Sequence, residues 1–199
     1  MKYTESTDAS PEIAALAGDA FLSLAQIFLQ SLSTNSDGAA MDAMEDIGGL
    51  LASATNLSLA IEIYLKAVLF HYRISVPHTH DLPELYKLIP TAVQEQISNA
   101  YAVLQEDKNE VKEVKELVLQ LARSPLFPDD DPVLPQNNTI LEMLSRNKNA
   151  FMTWRYAFSE LTGKFNTSLR YEFLYLELIA KAIRGQLEVR QQTLLENLE

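Results

Sequence analysis

The 199-residue sequence contains no cysteine, so it has no disulfide framework, no thiolate nucleophile and no cysteine-ligated metal, in keeping with a reducing cytoplasm. Six glycines and eight prolines give little punctuation, and no glycine-rich phosphate loop, zinc-ligand spacing or nucleophile elbow occurs. Three histidines, His71, His78 and His80, are the whole supply of imidazole. Basic residues are outnumbered 16 to 27 by acidic ones, for a net charge of −11. That field opposes a sequence-blind grip on DNA or RNA. The uncharged run Ile47 to Ile61 is interrupted by Gly48, Gly49, Ser53, Thr55, Asn56 and Ser58 and stops at Glu62. It is shorter than the roughly 20 residues a bilayer crossing needs. The opening Met1–Glu5 lacks the plan of a secretory signal. The expected organisation is therefore a flexible tail over residues 1–10 ahead of one soluble, cytoplasmic domain over 11–199.

What is present is 47% hydrophobic, and the apolar residues recur with helical period. The predicted fold is all-α, an up-and-down bundle of four to five main helices with short connecting helices. Ser10-Pro11 starts the first helix, whose apolar stripe is Ile13, Leu16, Ala17, Ala20, Phe21, Leu24, Ile27 and Phe28, the face such a helix turns to its core. Ser33–Gly38 ends it. A longer helix is predicted from about Met41 to His71 or Tyr72, with Ile47, Leu50, Leu51, Ala54, Leu57, Ile61, Leu65, Val68 and Leu69 inward and a bend at Gly48-Gly49. The turn Val76–Pro83 leads into a short helix around Glu84–Leu88, and Pro90 starts another through Tyr101.

Asp107–Arg123 reads as an amphipathic helical segment with Val111, Val114, Leu117, Val118 and Leu121 on its apolar side. Ser124–Asn138 holds Pro125, Pro128, Pro132 and Pro135, so no helix crosses it. Thr139 is the expected cap of a helix over Ile140–Leu161, with Glu142 completing a capping box. The last helix is predicted from Thr167 or Ser168 nearly to the C-terminus. Leu169, Phe173, Leu176, Ala180, Ile183, Leu187 and Leu194 form its seam, which is wide enough to expect a second copy of the chain as one neighbour.

Three segments together carry a resemblance. Leu59-Ala60-Ile61-Glu62-Ile63-Tyr64-Leu65-Lys66-Ala67 holds a Glu-x-x-x-Lys-Ala pattern. Thr79-His80-Asp81-Leu82-Pro83-Glu84-Leu85 is followed by Leu88-Ile89-Pro90, and Ala150-Phe151-Met152-Thr153-Trp154-Arg155-Tyr156 is the third. They resemble HEPN-type helical proteins, the third segment being similar to a bacterial branch of that family. The resemblance implies a helical bundle, usually homodimeric, among metal-independent ribonucleases of toxin, antiviral and RNA-processing systems. Their motif is arginine, a polar residue, three variable residues and histidine. Arg146-Asn147-Lys148-Asn149-Ala150-Phe151 keeps the first two and puts phenylalanine in the histidine's place. Phenylalanine neither takes nor gives a proton, so acid-base help is lost at that position.

The candidate catalytic residues are accordingly Arg146, Asn147 and His80, and the candidate ligand-binding residues are Arg146, Lys148, Arg155, His78, His80 and Asp81. Each has a plainer reading. His80 beside Asp81 is either a proton-transferring pair or a turn bonded to itself. Arg146 either grips phosphate or faces a carboxylate or solvent. His78 and His80 lack further ligands for a metal, and Asp129-Asp130-Asp131 lacks the plan of a calcium loop and reads as a solvated acidic loop. Trp154, Tyr156 and Phe158 read as core aromatics before stacking platforms. No cofactor or metal is expected. Three functions follow: a catalytically silent protein binding a nucleotide, an RNA end or a partner such as a nucleotidyltransferase in a defence or toxin-antitoxin system; an RNA nuclease using Arg146 with His78 or His80; or a purely structural dimeric interaction protein.

Overall fold

The computed structural model of the protein describes residues 10–34, 43–108, 117–120, 139–148, 151 and 168–196. Among these, the chain forms α1 (Pro11–Thr34), α2 (Ala43–His71), α3 (Leu82–Lys87), α4 (Thr91–Lys108), β1 (Leu117–Gln120), α5 (Ile140–Arg146), β2 (Ser168–Tyr171) and α6 (Phe173–Glu196). The helical bundle expected from the sequence is the architecture found.

α2 is the core helix. Leu50, Ala54, Leu57, Ala60, Ile61, Tyr64, Leu65, Ala67, Val68 and Leu69 are buried, and the helix packs against α1, α3 and α6. It stays helical through Gly48-Gly49. By length and composition the stretch Gly48–His71 reaches what a bilayer crossing requires, at mean hydropathy 1.2, beyond the short run apparent in the sequence. Its most apolar window is 67% buried inside the bundle, the pattern of a core helix. α2 ends in a left-handed residue, Arg73 at φ 56°. The Ile74 amide donates to Leu69 O at 2.9 Å and the Arg73 amide to Phe70 O at 2.9 Å, the pairing of a Schellman stop.

α1 reverses the expected orientation. Ala15, Gly18 and Ala25 are its buried residues, whereas Ile13, Leu16, Leu24 and Ile27 of the predicted inward stripe are exposed, as are Ala17 and Ala20. Phe21 is half-buried, and the side chain of Phe28 lies outside the described residues. The cause is close approach. A Cβ on Gly18 would stand 2.4 Å from the Tyr64 ring, so small residues let the helix backbone lie directly on α2. Polar ties hold this orientation: the Ser53 hydroxyl donates to Ala25 O at 2.7 Å, and Asp19 accepts from the Tyr64 hydroxyl at 2.7 Å and from Arg184 Nε at 2.7 Å.

α3 begins two residues before its predicted start, because Asp81 caps it through the Glu84 amide at 3.0 Å with Pro83 in its first turn. α4 continues past Tyr101 to Lys108, since nothing in Ala102–Lys108 breaks a helix. The helical reading of Asp107–Arg123 fails at Leu117–Gln120, which pairs antiparallel with Ser168–Tyr171 in the register Leu117↔Tyr171 and Gln120↔Ser168. Short apolar runs with Val and Tyr satisfy either period, and a facing strand decides the matter. Val111, Val114 and Leu121 lie outside the described residues.

The same pairing corrects the last helix, which starts at Phe173 and not at Thr167 or Ser168. Glu172 stands in its N-cap position, and its carbonyl accepts from the Leu176 amide at 3.1 Å. The seam Phe173, Leu176, Ala180, Ile183 and Leu187 is buried within the chain, where α6 packs on α2 and α4. It is therefore closed to the second copy expected there. Leu169 and Leu194 have no described side chains. α5 has the predicted Thr139–Glu142 capping box, but its run to Leu161 is broken: Arg146 ends the helix and Asn147–Lys148 form a turn. The tail over residues 1–9, the acidic loop and Gly163 fall outside the described residues.

Candidate functional site

Two segments distant in sequence meet at the end of α5. The Leu82 amide donates to Lys148 O at 3.3 Å, and Lys148 Nζ lies 3.4 Å from Asp81 Oδ2. The turn before α3 and the turn after α5 are thereby joined. His80 and Phe151 lie across this joint with ring centroids 5.5 Å apart.

Each charged group in the cluster has an opposite partner. Glu62 on α2 is 4% exposed; its Oε1 is 2.6 Å from Lys66 Nζ and its Oε2 accepts from His80 Nδ1 at 2.9 Å. The one-turn Glu62–Lys66 spacing produces the ion pair expected of it. Arg146 Nε donates to both oxygens of Glu172, at 3.2 and 3.1 Å, and Nη2 is 3.0 Å from Oε1. Glu172 is 3% exposed, and Asn147 Nδ2 adds a bond to its Oε2 at 3.1 Å while also donating to Met143 O at 2.9 Å. Arg146 and Asn147 thus act as the counter-charge and the clamp of a buried carboxylate on the residue just ahead of α6. Tyr101 of α4 lies nearby. Burial pushes its hydroxyl pKa up, and the charges of Tyr175 and Glu172 add to the rise.

The candidates Arg146, Asn147, Lys148, His80 and Asp81 are therefore gathered at one place. His78 is exposed in the same turn, and Arg155, Trp154, Tyr156 and Phe158 lie outside the described residues. His71 ends α2, with its ring edge-on to Tyr72 at 5.3 Å. Glu172 was missed in the sequence reading, because its partners stand 26 and 25 residues earlier. An acid directly ahead of the apolar run from Phe173 was the available signal. The sequence likewise hid the Asp19–Tyr64–Arg184 network. Burial raises the Asp19 pKa, but hydrogen bonds from Arg184 and Tyr64 outweigh it and leave the carboxyl below its ordinary range.

Chemically, the Glu62–His80 pair can fix one imidazole nitrogen and leave the ring half in solvent, with 52% of its side chain exposed. Among the described residues no group of three or more metal-ligating side chains forms. A hollow of about 470 Å³ between α4 and the start of α5, lined by Tyr86, Gln94, Ser98 and Thr139, contains none of the clustered residues.

Residues 38–123 match the family model of the HEPN domain. This span takes in Glu62, Lys66, His80 and Asp81 and stops before Arg146. No curated protein and no solved structure matches the chain.

Proposed function

We propose, on the premise that this chain carries a HEPN-like domain, that it is catalytically silent and works in the cytoplasm by binding a partner protein. Such a domain points to RNA-related, nuclease-like or defence-system biology. A nucleotidyltransferase or other component of a defence or toxin-antitoxin module is the kind of partner meant. One observation carries the reading: the Arg146 guanidinium is engaged in a fork by the buried Glu172 carboxylate, while Phe151 holds the place of the motif's histidine. Lys148 and Lys66 likewise face Asp81 and Glu62. With its cations matched in this way and a net charge of −11, the cluster offers phosphate little attraction. That favours a protein over an RNA end or nucleotide as the bound species, and no cofactor is implied.

A second reading has its own observation. His80 is seated on Glu62 and lies against Phe151, one ring away from the motif position, where it suits a nuclease that borrows its imidazole from the turn. Purified protein incubated with structured and unstructured RNA, beside Arg146→Ala and His80→Ala, separates the two. The silent reading expects no cleavage above buffer. Cleavage lost in both variants overturns it in favour of the nuclease, and tight RNA binding without cleavage overturns the preference for a protein partner.

A further inference from the structure

The fold leaves one apolar face of α1 in solvent. Ile13 is 68% exposed, Leu16 64%, Leu24 52% and Ile27 63%, and Ala20 between them is exposed too. They follow one another at steps of three or four residues, which at about 100° per residue keeps them within about 40° of a common direction. Single exposed leucines are ordinary, but four large aliphatic side chains in one line mark an interaction surface. The helix is fixed with this face outward. Gly18 rests on the Tyr64 ring, the Ser53 hydroxyl donates to Ala25 O at 2.7 Å, and Gln26 Nε2 donates to Glu177 Oε1 at 2.7 Å.

The charge around the face has one sign. Over residues 1–60 the sequence holds one basic residue, Lys2, against eight acidic ones, although the whole chain has 16 against 27. α1 itself has no lysine or arginine. Glu12 stands exposed beside Ile13 at its start. Asp37, Asp42, Glu45 and Asp46 follow its end in sequence, the last two in the first turn of α2. The carbonyl end of the α1 dipole adds negative charge there, with no basic residue in the last turn to offset it. Arg184, which reaches α1 from α6, is held between Asp19 at 2.7 Å and Glu188 at 3.3 Å.

We infer that this face docks a cationic amphipathic helix of a partner protein, with the helix's apolar stripe along Ile13–Ile27 and its lysines or arginines over the acids at either end. The inference rests on the reading that the chain works by binding a protein, and it names the chemistry of the bound segment. Size selects a helix. The stripe rises about 21 Å, roughly four turns, which suits anchors at three- and four-residue steps on one helix and falls short of the ~800 Å² per partner of a standard interface between folded domains. Charge selects a cation. A second copy would bring the same acidic sequence to the same face, and an anionic bilayer is repelled by it and takes helices rich in lysine and arginine instead. Attraction between unlike charges also fixes the sign of the salt effect: added salt weakens the complex.

Two synthetic peptides of about four turns test this against the full-length protein. Both carry leucine at three- and four-residue steps, one with lysine and the other with glutamate at the remaining positions. In fluorescence anisotropy the lysine peptide is expected to bind at micromolar concentration, about tenfold more weakly when salt rises from ~50 to ~500 mM, and the glutamate peptide not to bind. Leu16→Ser with Leu24→Ser keeps every charge and is expected to weaken binding more than about tenfold with unchanged circular dichroism. Glu12→Gln with Glu45→Gln and Asp46→Asn keeps the stripe and is expected to weaken binding at low salt. Lysine-peptide binding that the serine variant leaves intact is charge attraction alone and overturns the inference, as does equal binding of both peptides or binding of neither. A peptide-free dimer that the serine variant abolishes, or sedimentation with anionic vesicles in place of peptide binding, overturns it in favour of a second copy or a bilayer. The RNA assay of the proposed function reads the Arg146 cluster and not α1, so either reading can fail without the other.

Discussion

Arg146 and Glu172 form a two-point ion pair that joins the end of α5 to the first residue ahead of α6. The carboxylate is buried, and the arginine side chain is 31% exposed. The pair sits where the resemblance would have put the arginine of a nuclease motif, so its energetics decide how any activity test is interpreted.

Removing one partner of such a pair strands a buried charge. Arg146→Ala is expected to cost about 2–4 kcal/mol, the lower part of the usual range because the arginine is partly in solvent. Replacing Glu172 by Gln in the Arg146→Ala background recovers part of the loss. Urea unfolding of the native protein, Arg146→Ala, Glu172→Gln and the double variant measures it, and an Arg146→Ala loss under ~0.5 kcal/mol would contradict the structural role.

Gly18→Ala opposes a general preference. Alanine in a helix interior is favoured over glycine by about 1 kcal/mol, but the new methyl would lie 2.4 Å from a Tyr64 ring that is fully buried. Overpacking of this kind costs about 1–3 kcal/mol. Net destabilisation in thermal unfolding is expected, with relief in Gly18→Ala/Tyr64→Leu.

Arg73 closes α2 in a left-handed conformation at φ 56°, which costs a side-chain-bearing residue roughly 1 kcal/mol relative to glycine. Arg73→Gly should raise stability by about 0.5 kcal/mol or leave it unchanged after the greater freedom of the unfolded chain is included. A clear fall in melting temperature would mean that the arginine side chain makes an offsetting contact.

Asp19 carries an acid limb of stability. Its folded pKa is depressed, so the contribution is fully present above the ordinary aspartate value near ~4 and is lost as pH falls through the folded one. Asp19→Asn should lower stability at neutral pH and flatten the decline on the acid side. Melting temperatures from pH 6 down to about pH 2 test this; parallel curves for the two proteins would rule it out.

Local chemistry was legible residue by residue. The Thr139–Glu142 capping box, Asp81 ahead of Leu82-Pro83, and the inward face of α2 from Leu50 to Leu69 are all in the structure as the spacing implied. Strand against helix at Leu117–Gln120 was not legible, because its partner lies some fifty residues away at Ser168–Tyr171. The candidate site was half legible. Arg146 was named from the family resemblance, and His80, Asp81 and Lys148 from that resemblance together with their types and setting, whereas the carboxylates that receive Arg146 and His80 were assigned by folding alone.

The sequence by itself determined that this protein is a helical bundle, because a 3.6-residue period and short-range caps act within a turn or two of the chain. Only the tertiary structure decided which face of α1 is inside. Its large residues form the better apolar stripe, yet Gly18 and two alanines permit an approach to α2 that bulkier side chains forbid. Tertiary structure also set the state of Arg146, since ion pairing depends on distance in space and Glu172 is near it in no other sense.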